Sequence, residues 1–128
     1  MTPSKSDTDI DSCAVEAVDP GKVMHALDRL PDHAELADVA DLFKLLGDPT
    51  RLKILYALVE TGELCVCDLA AVVGVPETSV SHALRLLRMA GVVRARKDGR
   101  MAFYAIDDHH VRLVLDLAAE HMRHGDDR

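Results

Sequence analysis

The sequence PETSVSHALRLLRMAGVVRARKDGRMAFYAI, residues 76–106, has the most informative pattern in the chain. Between Pro76 and Gly91 the apolar residues recur at helical spacing, and the proline and glycine are typical of a helix start and a helix end. Two runs rich in apolar residues follow, on either side of Asp98 and Gly99, which supply the backbone angles of a tight hairpin turn. The stretch therefore predicts a helix followed by a β-hairpin.

Upstream of this stretch, residues 63–73 predict another short helix, which ends at Gly74. Together with the helix after Pro76 it makes a helix-turn-helix. Further upstream, Asp48 precedes Pro49, an arrangement of a capping carboxylate and a first-turn proline that starts a buried helix. The order of helix, turn, helix and basic hairpin predicts a DNA-binding unit.

Helical spacing of apolar residues also predicts helices over 22–30, 34–46 and 111–122. Aromatic residues make up only 3% of the chain and Trp is absent, so the core must consist mainly of aliphatic side chains, as in packed helices. The predicted fold class is mainly α with a β-hairpin wing, that is, a winged helix-turn-helix.

A chain of 128 residues with 48% hydrophobic content builds one core. We expect residues 1–21, which are polar, to form a flexible N-terminal arm that carries Cys13, and residues 22–128 to form the DNA-binding and dimerisation domain. We expect a cytoplasmic protein with no membrane partner, because the start is acidic and no apolar run reaches the length of a membrane span. We expect no enzyme activity, since neither a nucleophile paired with a base nor a phosphate loop stands out.

Charge is distributed unevenly along the chain. The net charge is -7, yet bases predominate between His82 and Arg100, which places a local positive field on the predicted helix and wing. Short hydroxyls and an imidazole on the outward face of the helix allow close approach to base edges, and wing bases suit phosphates. The predicted DNA contacts are Thr78, Ser79, Ser81, His82, Arg85, Arg94, Arg96, Lys97 and Arg100. For any one of them, a solvated surface position is the alternative.

The last predicted helix carries four residues that bind divalent metals, Asp108, His110, His121 and His124. His110 and His121 share a helix face but are separated by roughly 16 Å along the axis, so one ion cannot join them within one chain. An antiparallel copy of the helix would bring both halves of the set together. The spacing therefore predicts a homodimer with zinc sites, against the alternative of an exposed histidine-rich helix end.

Cysteine supplies a second candidate site. Cys65 and Cys67 flank one residue, and thiolates at this spacing suit a soft metal ion. With Cys13 from the arm, in our interpretation the arm of the partner subunit, they would form a three-sulfur site for cadmium, lead or zinc. The alternatives are two small buried core cysteines, or a thiol redox switch.

Three motifs resemble the ArsR/SmtB family of metal-sensing repressors, and within it the CadC/SmtB branch: GDPTR (47–51), ELCVCDL (63–69) and SVSHAL (79–84). The resemblance extends over residues 37–124. The resemblance implies that the thiolate of Cys13 in the arm and those of Cys65 and Cys67 form one metal site, and that the last helix forms another. CadC-like arms have a second cysteine where this chain has Ala17, so the resemblance implies three sulfur ligands here instead of four.

The resemblance also implies a function. A metal-free homodimer would bind double-stranded operator DNA and be released by Cd(II), Pb(II) or Zn(II), controlling genes of metal efflux or resistance. Of the two sites, we expect Cys13, Cys65 and Cys67 to be the regulatory set. A thiol redox-sensing repressor and a metal buffer protein are the alternatives.

Overall fold

The structure is a computed structural model that describes residues 16–126, with the side chains of residues 16–125. The helices are α1 (Pro20–Arg29), α2 (His33–Leu46), α3 (Pro49–Thr61), α4 (Val66–Val73), α5 (Glu77–Met89) and α6 (His109–Asp126). The strands are β1 (Leu64–Cys65), β2 (Val93–Asp98) and β3 (Met101–Ile106). This order confirms the predicted winged helix-turn-helix. None of the described helices combines the length and the apolar character needed to cross a membrane.

The chain divides into two compact units, one ending at Leu36 and one beginning at Ala37. In the first unit, α1 begins at Pro20, two residues earlier than predicted, because the Asp19 carboxylate caps it by accepting the Lys22 N–H at 3.0 Å. None of the α1 side chains is buried. Cys13 lies outside the described residues.

In the second unit, α3 begins as the sequence predicts. The Asp48 carboxylate accepts the Arg51 N–H at 2.9 Å, Pro49 occupies the first turn, and the helix ends at Gly62. The Arg51 side chain also donates to the Leu45 carbonyl at 2.6 Å, which joins the end of α2 to the start of α3.

The helix predicted over residues 63–73 is wrong at its start. Leu64 and Cys65 form the short strand β1, and α4 begins only at Val66. The reason is a pairing distant in sequence: β1 pairs antiparallel with β3, with Leu64 opposite Tyr104 and Cys65 opposite Phe103. A local periodicity does not reveal such a partner.

The wing consequently has three strands, where the sequence predicted a two-stranded hairpin. Its strand order is β1-β3-β2 and both pairings are antiparallel. The turn between β2 and β3 contains Gly99 at a φ of +64°, the left-handed conformation that the Asp-Gly pair predicts. Cys65, the first of the two described cysteines, thus lies in the sheet of the wing.

The core lies beneath α4 and α5 and is aliphatic, as the composition predicts. Its least exposed large side chains are Ile54, Leu55, Leu58, Leu69, Val80, Leu84, Leu87, Val92 and Leu115. They come from α3, α4, α5, α6 and the start of the wing, so one cluster holds the helix-turn-helix and the sheet together. This packing fixes the outward faces of α4 and α5.

Candidate metal site and DNA-binding surface

The two described cysteines lie at the junction of β1 and α4. Cys65 ends the strand and is 3% exposed, whereas Cys67 lies in the first turn of the helix and is exposed. Their Sγ atoms are 3.5 Å apart. Two sulfur ligands at about 2.3 Å from a tetrahedral zinc ion would lie about 3.8 Å apart. The thiol pair therefore fits chelation of one ion with a displacement of a few tenths of an ångström.

Asp68 places a candidate oxygen ligand beside this pair. One ligand atom each from Cys65, Cys67 and Asp68 lie within 4.8 Å of one another, and no other such group of three occurs among residues 16–126. The sequence interpretation missed Asp68, although the motif places it directly after Cys67. The described part of the site is a two-sulfur, one-oxygen set.

The surroundings of Cys67 favour the protonated form of its thiol before a metal binds. The hydrogen bond shared with Cys65 is the main cause that raises the pKa of the Cys67 thiol, and the negative charges of Cys65, Asp68 and Glu77 and some desolvation act in the same direction. A metal must therefore displace protons here.

The thiol pair opens into a cleft between the two DNA-binding elements. Cys65 and Cys67 line this cleft together with Glu77, the first residue of α5, and with Arg100 and Met101 at the wing turn. The site is thus adjacent both to the start of the predicted recognition helix and to the tip of the wing.

The second predicted set lies along α6, which extends beyond the predicted range at both ends. Asp108 caps the helix: it accepts the His110 N–H at 2.7 Å, and its Oδ1 lies 3.2 Å from His110 Nδ1. These hydrogen bonds, the backbone one first, lower the pKa of the Asp108 carboxyl. His121 and His124 are exposed near the other end of the helix, so within the described chain the four side chains form no common site.

Helix α5, the predicted recognition helix, has the two faces that its sequence predicts. Val80, Leu84 and Leu87 are buried in the core. The five predicted DNA contacts on this helix are all exposed, and they are Thr78, Ser79, Ser81, His82 and Arg85. The exposed face therefore carries hydroxyls, an imidazole and a guanidinium, groups that can hydrogen-bond base edges in a major groove.

The four wing bases have different surroundings. Arg94 lies 3.6 Å from Asp107 and donates to the Ile106 carbonyl at 3.0 Å. Lys97 and Arg100 form no ion pair with any side chain of residues 16–125, and both are exposed at the tip. These two cations are thus the ones most available to a phosphate backbone.

Arg96 interacts with other side chains of the same chain. Its guanidinium donates to both Glu63 carboxylate oxygens, at 2.8 and 3.0 Å, lies 3.8 Å from Asp98 and stacks over Phe103 at 5.0 Å from the ring centroid. The hydrogen bond from Arg96 lowers the pKa of Glu63. This bidentate pair, whose partner lies 33 residues away in sequence, was not predicted.

The arrangement of helices and wing matches known proteins. Residues 48–95 match the family model of bacterial regulatory proteins of the arsR family. Over 113 residues, covering 88% of this chain and 93% of the relative, the sequence is 41% identical to the cadmium resistance transcriptional regulatory protein CadC homolog of Staphylococcus aureus. The chain belongs to the arsR family. This arsR-family protein is also 43% identical, over 69% of its length and 66% of the relative's, to the transcriptional repressor SmtB homolog of Synechocystis.

Solved structures agree with this membership. The arsR-family chain superimposes on the antimony-specific transcriptional repressor AntR with a TM-score of 0.71 and 33% identity, covering 89% of this chain and all of that one. It also matches the homodimeric winged helix-turn-helix DNA-binding domain Mb0332 of Mycobacterium bovis, with a TM-score of 0.65, 31% identity and coverage of 73% and 88%. The protein is thus a winged helix-turn-helix regulator of transcription and not an enzyme.

Proposed function

We propose that this arsR-family protein is a metal-responsive repressor that binds operator DNA as a metal-free homodimer and leaves it when Cys65 and Cys67 bind a metal ion. The observation that carries the proposal is the pair of thiols 3.5 Å apart, in a cleft that also includes the start of α5 and the wing turn. A reducing compartment such as the cytoplasm would keep these thiols available.

The proposed ligands are Cys65, Cys67 and Cys13 of the arm, with Asp68 as an oxygen ligand. Thiolates favour soft and borderline ions, so the proposed effectors are Cd(II), Pb(II) and Zn(II). A relative that is 41% identical is named for cadmium resistance, which supports metal efflux or resistance genes as the targets. The bound ion would supply positive charge and fixed bond angles at the cleft.

A dimer is supported by the apolar surface of the second unit. Large side chains on α2 and α6 are exposed in the single chain, among them Phe43 at 57% and Leu117 at 64%. An apolar groove lies between these helices, lined by Phe43, Leu46, Leu52, Tyr56, Val114 and Ala118. A second copy would remove this surface from water, and a related winged helix domain is homodimeric.

The dimer would also complete the second site. In an antiparallel pair of α6 helices, Asp108 and His110 would face His121 and His124 of the partner subunit, which makes a tetrahedral set suited to zinc. We assign this set a secondary role, because the thiol pair lines the cleft that contains the start of α5 and the wing turn.

DNA binding would involve both exposed surfaces. The outward face of α5, with Thr78, Ser79, Ser81, His82 and Arg85, would enter the major groove. Lys97 and Arg100 would contact phosphates, with Arg94 beside them at the base of the wing. Release then requires that the metal-bound dimer fit the operator less well than the metal-free one.

The decisive experiment measures operator affinity by fluorescence anisotropy, on a duplex from upstream of the protein's own gene, with zinc, cadmium and lead added in turn. Wild type should be released by at least one ion, Cys65→Ser should not, and His121→Ala should behave as wild type. Release of Cys65→Ser but not of His121→Ala would assign regulation to α6 instead. Metal binding with no operator binding at all would indicate a metal buffer.

A thiol redox-sensing repressor is the second candidate, favoured by the same 3.5 Å approach of the two sulfur atoms. Treating the metal-free dimer on operator DNA with a thiol oxidant, in the presence of a chelator, separates the two functions. Release by the oxidant together with no response to metal would support the redox sensor. Under our proposal, the reduced protein responds to the ion in the absence of any oxidant.

A further inference from the structure

One row of residues crosses the wing sheet from the thiol pair to the outermost strand. Cys65 on β1 is directly opposite Phe103 on β3, and Phe103 is directly opposite Arg96 on β2. Residues opposite one another in antiparallel strands point to the same face of a sheet. The stacking of Arg96 over the Phe103 ring, at 5.0 Å, is consistent with this geometry.

A salt bridge forms a second connection between the start of β1 and the strand β2. Glu63 directly precedes β1, and its carboxylate accepts both hydrogen bonds from the Arg96 guanidinium, at 2.8 and 3.0 Å. The pair is half-exposed, with side-chain exposures of 54% for Arg96 and 38% for Glu63. Because both oxygens are engaged by a planar donor, the pair fixes orientation as well as distance.

The row of paired residues and the Glu63–Arg96 pair both hold the backbone at β1, which leads into the Cys65–Cys67 pair. Leu64 and Cys65 form only two residues of strand, so β1 has few ladder hydrogen bonds of its own to hold it in the sheet. The Glu63–Arg96 pair attaches the start of β1 to β2, which carries Lys97 and leads directly into the turn that contains Arg100. Cys65 is therefore connected to the wing tip both by the pairing of β1, β3 and β2 and by the Glu63–Arg96 pair.

We propose that Glu63 and Arg96 are positioning residues that couple the thiol pair to the wing, so that metal binding at Cys65 and Cys67 changes the fit of the wing to DNA. This inference rests on the proposed function of the thiol pair. It gives Arg96 a role different from the phosphate contact expected from the sequence. The coupling lies within one subunit and does not depend on the α6 set.

The inference predicts that breaking the pair leaves metal binding intact but reduces its effect on DNA binding. The quantity to measure is the ratio of operator Kd with cadmium to operator Kd without it. We expect Glu63→Gln to lower this ratio about threefold or more relative to wild type, in the range of coupling carried by single residues. Cadmium binding, followed by thiolate-to-metal charge-transfer absorbance, should persist.

Asp98→Asn is a matched control. It changes the charge of the wing by the same amount and removes a carboxylate near Arg96, but leaves the bidentate pair with Glu63 in place. Its ratio should equal that of wild type. Arg96→Lys is the second variant: it retains the positive charge and loses the two-pronged hydrogen bond, so it should lower the ratio as Glu63→Gln does. Thermal unfolding of the metal-free dimers checks that each variant folds.

The outcomes are distinct. If wild type responds to cadmium and both Glu63→Gln and Arg96→Lys keep the wild-type ratio, the coupling role is overturned and the proposed function stands. If Arg96→Lys keeps the ratio and weakens operator binding equally with and without cadmium, Arg96 is a DNA contact that does not couple the two sites, and its coupling role is overturned. If wild-type operator affinity does not change with cadmium, the proposed function itself fails and the coupling role fails with it.

Discussion

The slope of metal affinity against pH should give the number of thiols that bind the ion. A cysteine thiol is ordinarily protonated below about pH 8.5, and the hydrogen bond with Cys65 holds the pKa of Cys67 higher still. Each thiol that becomes a thiolate ligand releases one proton, so the affinity rises about tenfold per pH unit for each such thiol. Two ligands, Cys65 and Cys67, predict about a hundredfold per unit between about pH 6 and pH 8, and a third from Cys13 predicts about a thousandfold.

Both the sign and the size of the slope of metal affinity against pH distinguish a thiolate site from a histidine site. Metal affinity should fall as the pH falls, because protons compete for the thiolates, and a carboxylate ligand adds nothing to the slope since carboxyls are ordinarily ionised in this range. A histidine site behaves differently, because imidazole is ordinarily neutral above about pH 7 and its slope then vanishes. Cadmium affinity, measured by competition with a chelator of known pH dependence, gives the slope for wild type and Cys13→Ser. A flat profile between about pH 7 and pH 8 would refute thiolate binding.

Three further predictions concern stability and DNA binding, the stability measurements being made by urea unfolding at fixed protein concentration because a dimer's stability depends on it. Asp48→Ala removes the cap of α3 and should cost about 1 kcal/mol, whereas Asp48→Asn should cost much less; equal losses would contradict the capping role. Tyr56→Phe removes the 2.6 Å hydrogen bond to the Leu115 carbonyl on α6 and should cost about 1 kcal/mol, and an unchanged midpoint would contradict this contribution. Arg100→Ala should weaken operator binding and lower the slope of log K against log salt by about 1; an unchanged slope would show that the wing tip does not contact phosphate.

Much of the fold follows from local patterns in the sequence. The helix start at Asp48 and Pro49, the turn at Gly99 and the buried face of α5 are each determined within a few residues, by capping, backbone conformation and apolar spacing. Such features depend little on distant partners, and the structure confirms them.

Features that depend on distant partners were not predicted. The strand at Leu64 and Cys65 exists because β3, some forty residues later, pairs with it, and the bond between Glu63 and Arg96 joins residues of the same two regions. Propensity at residues 63–65 cannot reveal either partner. Both lie around the candidate metal site, where the sequence identified the thiols but not Asp68 or the attachment to the wing.

The α6 set lies between these cases. Helical spacing correctly places Asp108 and His110 at one end of the helix and His121 and His124 at the other. Their meeting depends on a second chain, so the dimer site stays a prediction.

Reciprocal linkage is the sharpest test of metal-induced release, because operator release and metal binding must share one coupling free energy. Cadmium affinity should be measured for the free dimer and for the dimer bound to operator, beside operator affinity with and without cadmium. We predict that operator DNA weakens cadmium binding by the same factor as cadmium weakens operator binding, about 5- to 150-fold, and that both factors fall to 1 in Cys65→Ser. Equal cadmium affinity with and without operator would show that metal binding does not release this protein from DNA.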